Sequence, residues 1–268
     1  MTASGSGGEK LSLSRRKLLV SLRHKKHRAG TGLFLVEGLR GVREALRHGL
    51  VEEVYFSGGR STAELEESIP AEITVRELGP AEFGRISQTV TPQGVASLCR
   101  CPQWSREDLA GDGPLLVIDG VADPGNFGSI LRSGWALGAR GVVAGPGAAD
   151  PLAPGSVRGS MGAVFTLPFI LVDDLPGELA RLKQAGQTIV AADTDGEAAL
   201  GEIPVPEKSV VILGNEARGP SPGVVALADH RLRIPQAESA GSMSVAAAAA
   251  IFLYHLSPIG ARGRGRRQ

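Results

Sequence analysis

Short apolar runs alternate with amphipathic segments along almost the whole chain. In the second half the runs are Leu115–Ile118, Gly141–Ala144, Ile189–Ala192, Val210–Leu213 and Leu232–Ile234. Each is too short for a helix and bounded by turn residues, so each reads as a strand. Between them, apolar positions at helical spacing predict helices over Phe127–Leu137, Ser156–Ala163, Leu175–Ala185 and Val245–Leu256. Near-continuous apolar character in Leu115–Ile118 and Val210–Leu213 fits parallel strands covered on both faces, and hence a doubly wound sheet. The first half shows the same alternation at smaller scale. Strands are expected at Leu33–Val36, Val51–Phe56, Ile73–Val75 and Val95–Leu98. Helices are expected at Leu11–Arg28, from Gly38 to His48, at Ser61–Ser68 behind Ser61 and Thr62 as caps, and at Pro80–Ile86. This predicts an α/β/α domain over 11–101, a Pro/Gly-containing linker over 102–113 and a larger α/β domain over 114–258. Disordered tails are expected over 1–10 and 259–268.

Composition adds little to this picture: 268 residues, 42% hydrophobic and 21% charged, enough to bury a core. No apolar run reaches membrane-spanning length, and the opening MTASGSGGEK carries no apolar h-region, so neither a membrane span nor a signal peptide is expected. Cys99 and Cys101 have neither disulfide-framework nor zinc spacing. Reduced thiols, a cytoplasmic location and no metal are therefore expected. Charge changes the picture more. The net +1 conceals +4 over residues 1–100 and −3 over the remainder, and between Glu9 and Arg28 eight basic residues stand against one acid. The end, Arg262-Gly263-Arg264-Gly265-Arg266-Arg267, is basic again. Basic ends on a near-neutral body point to a polyanionic partner. In the expected helix 11–28, Leu11, Leu18, Leu19 and Leu22 form the apolar side, leaving Lys17, Arg23, Lys25, Lys26 and Arg28 free to meet phosphates.

Candidate chemistry gathers where three strands end. After Leu115–Ile118 come Asp119-Gly120 and the turn Asp123-Pro124-Gly125-Asn126, with Asn126 expected to cap a helix that carries Arg132. After Val210–Leu213 come Gly214-Asn215-Glu216 and Gly219, where Gly214 permits close backbone approach to a ligand. After Ile234-Pro235 a polar loop leads to Ser242-Met243-Ser244-Val245, with Ser242 or Ser244 as the cap of the last helix. Taken singly, these residues read as ordinary caps, turns and core. Together they lie at carboxyl ends of parallel strands, where open α/β sheets bind ligands. No G-x-G-x-x-G follows a strand, and no P-loop, nucleophile elbow or H-E-x-x-H is present. The five histidines show no ligand spacing.

In order and spacing the three junctions resemble the motifs of the SpoU (TrmH-like) branch of the SPOUT RNA methyltransferases. The first motif is matched by Asp119, Asp123-Pro124-Gly125-Asn126-Phe127-Gly128 and Arg132; the second by Gly214-Asn215-Glu216 and Gly219; the third by Ile234-Pro235 and Ser242-Met243-Ser244-Val245. Phe34-Leu35-Val36-Glu37-Gly38 and Val90-Thr91-Pro92-Gln93-Gly94-Val95 resemble the family's L30e-like substrate-binding domain. The third motif departs from the pattern: Ser244 stands where the family has Asn, and Met243 where it has Leu. Ser is shorter and lacks the amide donor pair.

The resemblance implies a C-terminal trefoil-knotted SPOUT domain behind an N-terminal L30e-like domain, a knot being an exception among folds. It implies a homodimer packed through the knotted domain, with S-adenosyl-L-methionine bound by Leu213, Gly214, Asn215, Gly219, Ile234 and Met243. The implied reaction is methylation of a ribose 2′-hydroxyl in RNA, with 23S rRNA preferred. The alternatives are a tRNA 2′-O-methyltransferase and a non-catalytic RNA-binding assembly factor. By the same resemblance Arg132 acts on the nucleotide, Asn126 orients Arg132 or the ribose, Glu216 fixes Arg132 and its loop, and Ser242 and Ser244 line the pocket. RNA contacts are expected from Arg15, Arg16, Lys17, Arg23, Lys25, Lys26, Arg28 and Glu37.

Overall fold

The computed structural model describes residues 10–58, 63–206, 208–237, 243–257 and 259–260. By internal contacts the chain forms two compact units, one comprising residues 1–103 and 152–165, the other 104–151 and 166–268.

The first unit opens with α1 (Leu13–Ser21) and α2 (Lys25–Thr31). Then follow β1 (Leu33–Glu37), α3 (Leu39–Arg47), β2 (Val51–Ser57), α4 (Ala63–Glu66), β3 (Thr74–Leu78), α5 (Pro80–Ile86) and β4 (Val95–Arg100). The strands form one sheet in the order β1-β4-β2-β3, in which β4 is antiparallel to both neighbours and β2 runs parallel to β3. Leu11, Leu19 and Leu22 are buried in its core with Tyr55, Leu78, Phe83 and Leu98. The single helix expected over 11–28 is instead two. Ser12 caps α1, and the chain breaks after Leu22, whose carbonyl accepts from the buried Arg28 guanidinium at 2.7 Å. The expected caps Ser61 and Thr62 lie outside the described residues.

The second unit contains β5 (Leu115–Asp119), α6 (Pro124–Ala136) and β6 (Gly141–Ala144). After β6 the chain supplies α7 (Pro154–Ser160) and a short 3-10 turn, Ala163–Phe165, to the first unit. It then continues with β7 (Phe169–Leu171), α8 (Leu175–Gln184), β8 (Thr188–Ala192), β9 (Ala198–Ala199), β10 (Ser209–Gly214), α9 (Pro222–Val225), β11 (His230–Arg233) and α10 (Val245–Leu256). The seven strands lie in the order β7-β6-β5-β10-β8-β11-β9, and every pairing is parallel. β5, β6, β8 and β10 are almost wholly buried, as apolar runs with no polar face require. Inside the segment expected to be a linker, Leu109 is buried in the core of this unit. The short strands β7 and β9 are not evident in the sequence pattern. Neither cysteine is in a disulfide; burial pushes the Cys99 thiol up to about 12.

Candidate active site

β5 and β10 are neighbours, and the chain leaves β5 toward β6 on one side but leaves β10 toward β11 on the other, so the two connections run to opposite edges of the sheet. That is a topological switch point, and a crevice opens at the carboxyl ends of the strands there. Asp119 and Gly214, the last residues of β5 and β10, are register partners. The loops that follow are tied to one another. Asn215 Nδ2 donates to the Gly120 carbonyl at 2.9 Å, and the Asp119 carboxylate accepts the Ser221 N–H at 2.6 Å. Asn215 and Gly219 exchange backbone hydrogen bonds at 3.1 and 2.9 Å, closing residues 215–219 into a tight loop. Gly219 has φ +67°, a conformation that favours glycine. Gly214 is required for a different reason: a Cβ there would lie 2.0 Å from Pro220 N and 2.2 Å from Gly219 C.

The start of α6 differs from expectation. Asp123, not Asn126, is the cap: its carboxylate accepts the Asn126 N–H at 2.7 Å, with Pro124 at the first helical position. Proline there has its φ preset for a helix and forfeits only an N–H that would have no intrahelical partner. Asn126 is thereby the third residue of the helix, within its first turn, with its side chain available for other work. Its Nδ2 donates to Glu216 Oε1 at 3.0 Å. Glu216 therefore holds Asn126, where it was expected to hold Arg132. Arg132 is exposed on α6, and among the described residues no hydrogen bond joins it to Asn126 or Glu216.

A cavity of about 590 Å³ lies beside this cluster. Leu213, Gly214, Asn215, Glu216, Gly219 and Met243 line it, which brings together all but one of the residues expected to hold cofactor. The exception, Ile234, lines a smaller adjoining recess that shares Met243, Asp193 and Thr194. Arg132 and Ser244 are not among the lining residues. The Ser244 hydroxyl instead caps α10, accepting the Ala247 N–H at 3.3 Å. Ser242 lies outside the described residues. Sequence reasoning missed the opposite wall: Asp193, Thr194 and Asp195 after β8, and Arg231 on β11. Arg231 donates to Asp193 Oδ2 through Nε at 3.0 Å and Nη2 at 2.9 Å, fixing both side chains. The available signal was positional, a polar turn at the end of a third parallel strand.

The basic residues near the N-terminus divide into two groups. Arg15 donates to Glu53, Arg16 to Glu82 and Arg23 to the Ser87 carbonyl. Arg28 is buried, so it is not the free phosphate contact expected of it. Lys17, Lys25 and Lys26 are exposed. The Glu37 carboxylate accepts from the Ser87 and Thr89 hydroxyls at 2.6 and 3.1 Å and from the Gln88 N–H at 2.5 Å. It is a loop anchor.

A parallel sheet with a polar, backbone-rich cleft at its switch point defines a ligand-binding α/β domain. Residues 113–254 match the SpoU rRNA Methylase family, and residues 14–97 the MRM3-like substrate binding domain. The chain belongs to the SpoU rRNA methylase family. It is 35% identical to the 23S rRNA (guanosine(2553)-2′-O)-methyltransferase RlmP of Bacillus subtilis, over 88% of this chain and 92% of that one. It is 33% identical to the 23S rRNA (uridine(2479)-2′-O)-methyltransferase of Streptomyces viridochromogenes, over 88% and 85%. Among solved structures, the SpoU methyltransferase AviRb of Streptomyces viridochromogenes in complex with AdoMet superposes with a TM-score of 0.82 at 28% identity, covering 94% of this chain and 98% of that one. An AdoMet-bound rRNA methyltransferase from Sinorhizobium meliloti gives 0.80 at 28% identity, covering 94% and 98%.

Proposed function

We propose that this protein transfers the methyl group of S-adenosylmethionine to a ribose 2′-hydroxyl of 23S rRNA. The observation that carries the reading is the convergence of Asp119, Asn126 and Gly214–Glu216 on one switch-point cleft in a chain of this family. The cleft fits the cofactor. Its volume falls in the range of small-molecule sites, it presents backbone polar groups from 213–220, and Gly214 lets the backbone of 219–220 close against the strand end at its wall. Leu213, Gly214, Asn215, Gly219 and Met243 would hold it, with Ile234 behind, and Asp193 and Asp195 offer acceptors for its hydroxyl and ammonium groups. The bound cofactor supplies an electrophilic methyl group that needs no activation.

The chain's own residues must orient the RNA and make its hydroxyl nucleophilic. The Arg132 guanidinium has five donors and no acceptor, so it is not a general base. Its role is to bind the nucleotide's phosphate and polarise the hydroxyl, while the proton passes to water or a neighbouring acceptor. Asn126, held by Glu216, keeps its amide oxygen available for the ribose or for Arg132. Because Arg132 is exposed outside the cleft, the reading includes a homodimer in which a second copy completes the site. Trp135 on α6 and Ile251 and Tyr254 on α10 are exposed apolar side chains on two helices that pack together, and they suit such an interface. A trefoil knot in the C-terminal domain and a cytoplasmic location belong to the same reading.

rRNA is favoured over tRNA because the relatives whose names specify the RNA, matching 86–88% of the chain, carry 23S rRNA names. The test is methyl transfer from labelled S-adenosylmethionine to 23S rRNA, 16S rRNA and tRNA, with the modified ribose mapped. Transfer to a 2′-hydroxyl of 23S rRNA is expected. Cofactor binding without transfer to any RNA would leave an assembly factor as the surviving reading.

A further inference from the structure

The second unit, which carries Arg132, is poor in cations. Residues 104–151 and 166–260 hold nine Lys/Arg against seventeen Asp/Glu. Among the described residues, five of the nine form ion pairs inside the unit, and Arg140 and Arg233 donate to its carbonyls. That leaves Arg132 and Arg218 to meet a polyanion. A body with such an excess of acid repels RNA phosphates. Residues 261–268, which lie outside the described residues, reverse the sign locally: Arg262, Arg264, Arg266 and Arg267 stand there with no acid. They also fall beyond both family-matched segments, 14–97 and 113–254.

The root of this stretch is fixed within the unit. α10 ends at Leu256, the following Ser257 is buried, and its hydroxyl accepts the Gly260 N–H at 3.2 Å. Gly260 is itself buried, so close to α10 that a Cβ there would overlap the Tyr254 carbonyl. Ile259 lies against the turn after α6, where a Cβ on Gly138 would stand 3.1 Å from its Cδ1. Gly138 is six residues past Arg132. At about 1.5 Å per helical residue, that is roughly 9 Å along α6. A chain extends no more than about 3.6 Å per residue, so residues 261–268 span at most about 29 Å and start within reach of whatever Arg132 holds. We propose that Arg262, Arg264, Arg266 and Arg267 bind phosphates of the RNA strand that flanks the methylated ribose. A guanidinium fork matches phosphate oxygens in pairs. Contact with the backbone carries no sequence information, so these arginines raise affinity and leave the choice of nucleotide to the folded units. The inference rests on the RNA methyltransferase reading above.

The test uses the full chain with saturating S-adenosylmethionine and a 23S rRNA transcript over a salt series. One variant combines Arg262→Gln, Arg264→Gln, Arg266→Gln and Arg267→Gln; a second changes the same four arginines to lysine. In the Gln variant, rRNA affinity should fall roughly tenfold or more at low salt. Its slope of log K against log salt should flatten by about two to three, at about 0.7 per single-strand phosphate contact. KM for rRNA should rise with kcat within about a factor of two, as loss of uniform binding requires. The Lys variant should keep the salt slope, and cofactor affinity should match the wild type in both. A photocrosslinker placed at Gln268 should attach to nucleotides beside the mapped 2′-O-methyl group. Wild-type affinity and slope in the Gln variant, or crosslinks only to protein or to remote RNA, overturn the inference but not the methyltransferase reading. A wild type that binds neither cofactor nor rRNA overturns both.

Discussion

Asn126 donates its side-chain amide to Glu216, Nδ2 to Oε1 at 3.0 Å, joining the first turn of α6 to the loop behind β10 across ninety residues of chain. The bond became available because Asp123 took the capping position. A hydrogen bond to a charged group contributes about 1.5–3 kcal/mol, which corresponds to roughly 10- to 100-fold in rate where it orients reacting groups. Glu216→Ala and Asn126→Ala should each lower kcat for methyl transfer by that order. The double substitution should cost little more than either alone. Additive losses in a double-mutant cycle would show that the two side chains act separately.

Gly214→Ala should abolish cofactor binding and destabilise the fold by about 3 kcal/mol or more, because a methyl there meets backbone atoms that have no room to retreat. Gly223→Ala, in α9, has open space around it and serves as the control. Denaturant unfolding and cofactor titration of the two variants make the comparison.

Removal of the Arg132 guanidinium should separate chemistry from cofactor binding. Arg132→Ala is expected to lower kcat roughly 100-fold or more while leaving cofactor affinity within about a factor of two. Wild-type turnover by this variant would rule out the proposed role. In a dimer that shares sites, mixing Arg132→Ala with a Gly214→Ala protein should restore up to about a quarter of the wild-type activity, by random reassortment of subunits.

Acid stability should depend on Glu178. Hydrogen bonding from Arg181 holds its carboxyl below the ordinary glutamate range, against the opposing effect of burial, and Arg106 adds to the lowering. A depressed carboxyl pKa stabilises the folded state fully above the unfolded value, about 4.3, and that contribution disappears as pH falls through the folded value. Thermal unfolding of wild type and Glu178→Gln should therefore differ most near neutral pH and converge below about pH 4. A gap that stays constant down to pH 3 would contradict the assignment.

Much of the cleft was legible because its residues punctuate strands. Asp119, Gly214 and Glu216 follow apolar runs whose burial on both faces dictates parallel pairing, and the switch point follows from that order. Asp193–Asp195 were not legible, since a polar turn after β8 resembles any surface turn until Arg231 is seen opposite it. β9 is two residues long and β7 three, too short for alternation to register. The basic stretch near the N-terminus showed charge but not pairing: the same composition serves exposed Lys25 and buried Arg28. Helical periodicity around Val157 marked an apolar face without showing which of two cores receives it.

That last point reaches beyond the finished molecule. The first unit takes residues 152–165 from far downstream, so a nascent chain that has emitted residue 103 still lacks a wall of the first core. At about 5–20 residues per second, translation needs roughly 3–12 s to deliver the missing piece. Through that interval the N-terminal portion stays incomplete on the very kind of particle whose RNA the mature protein is proposed to modify.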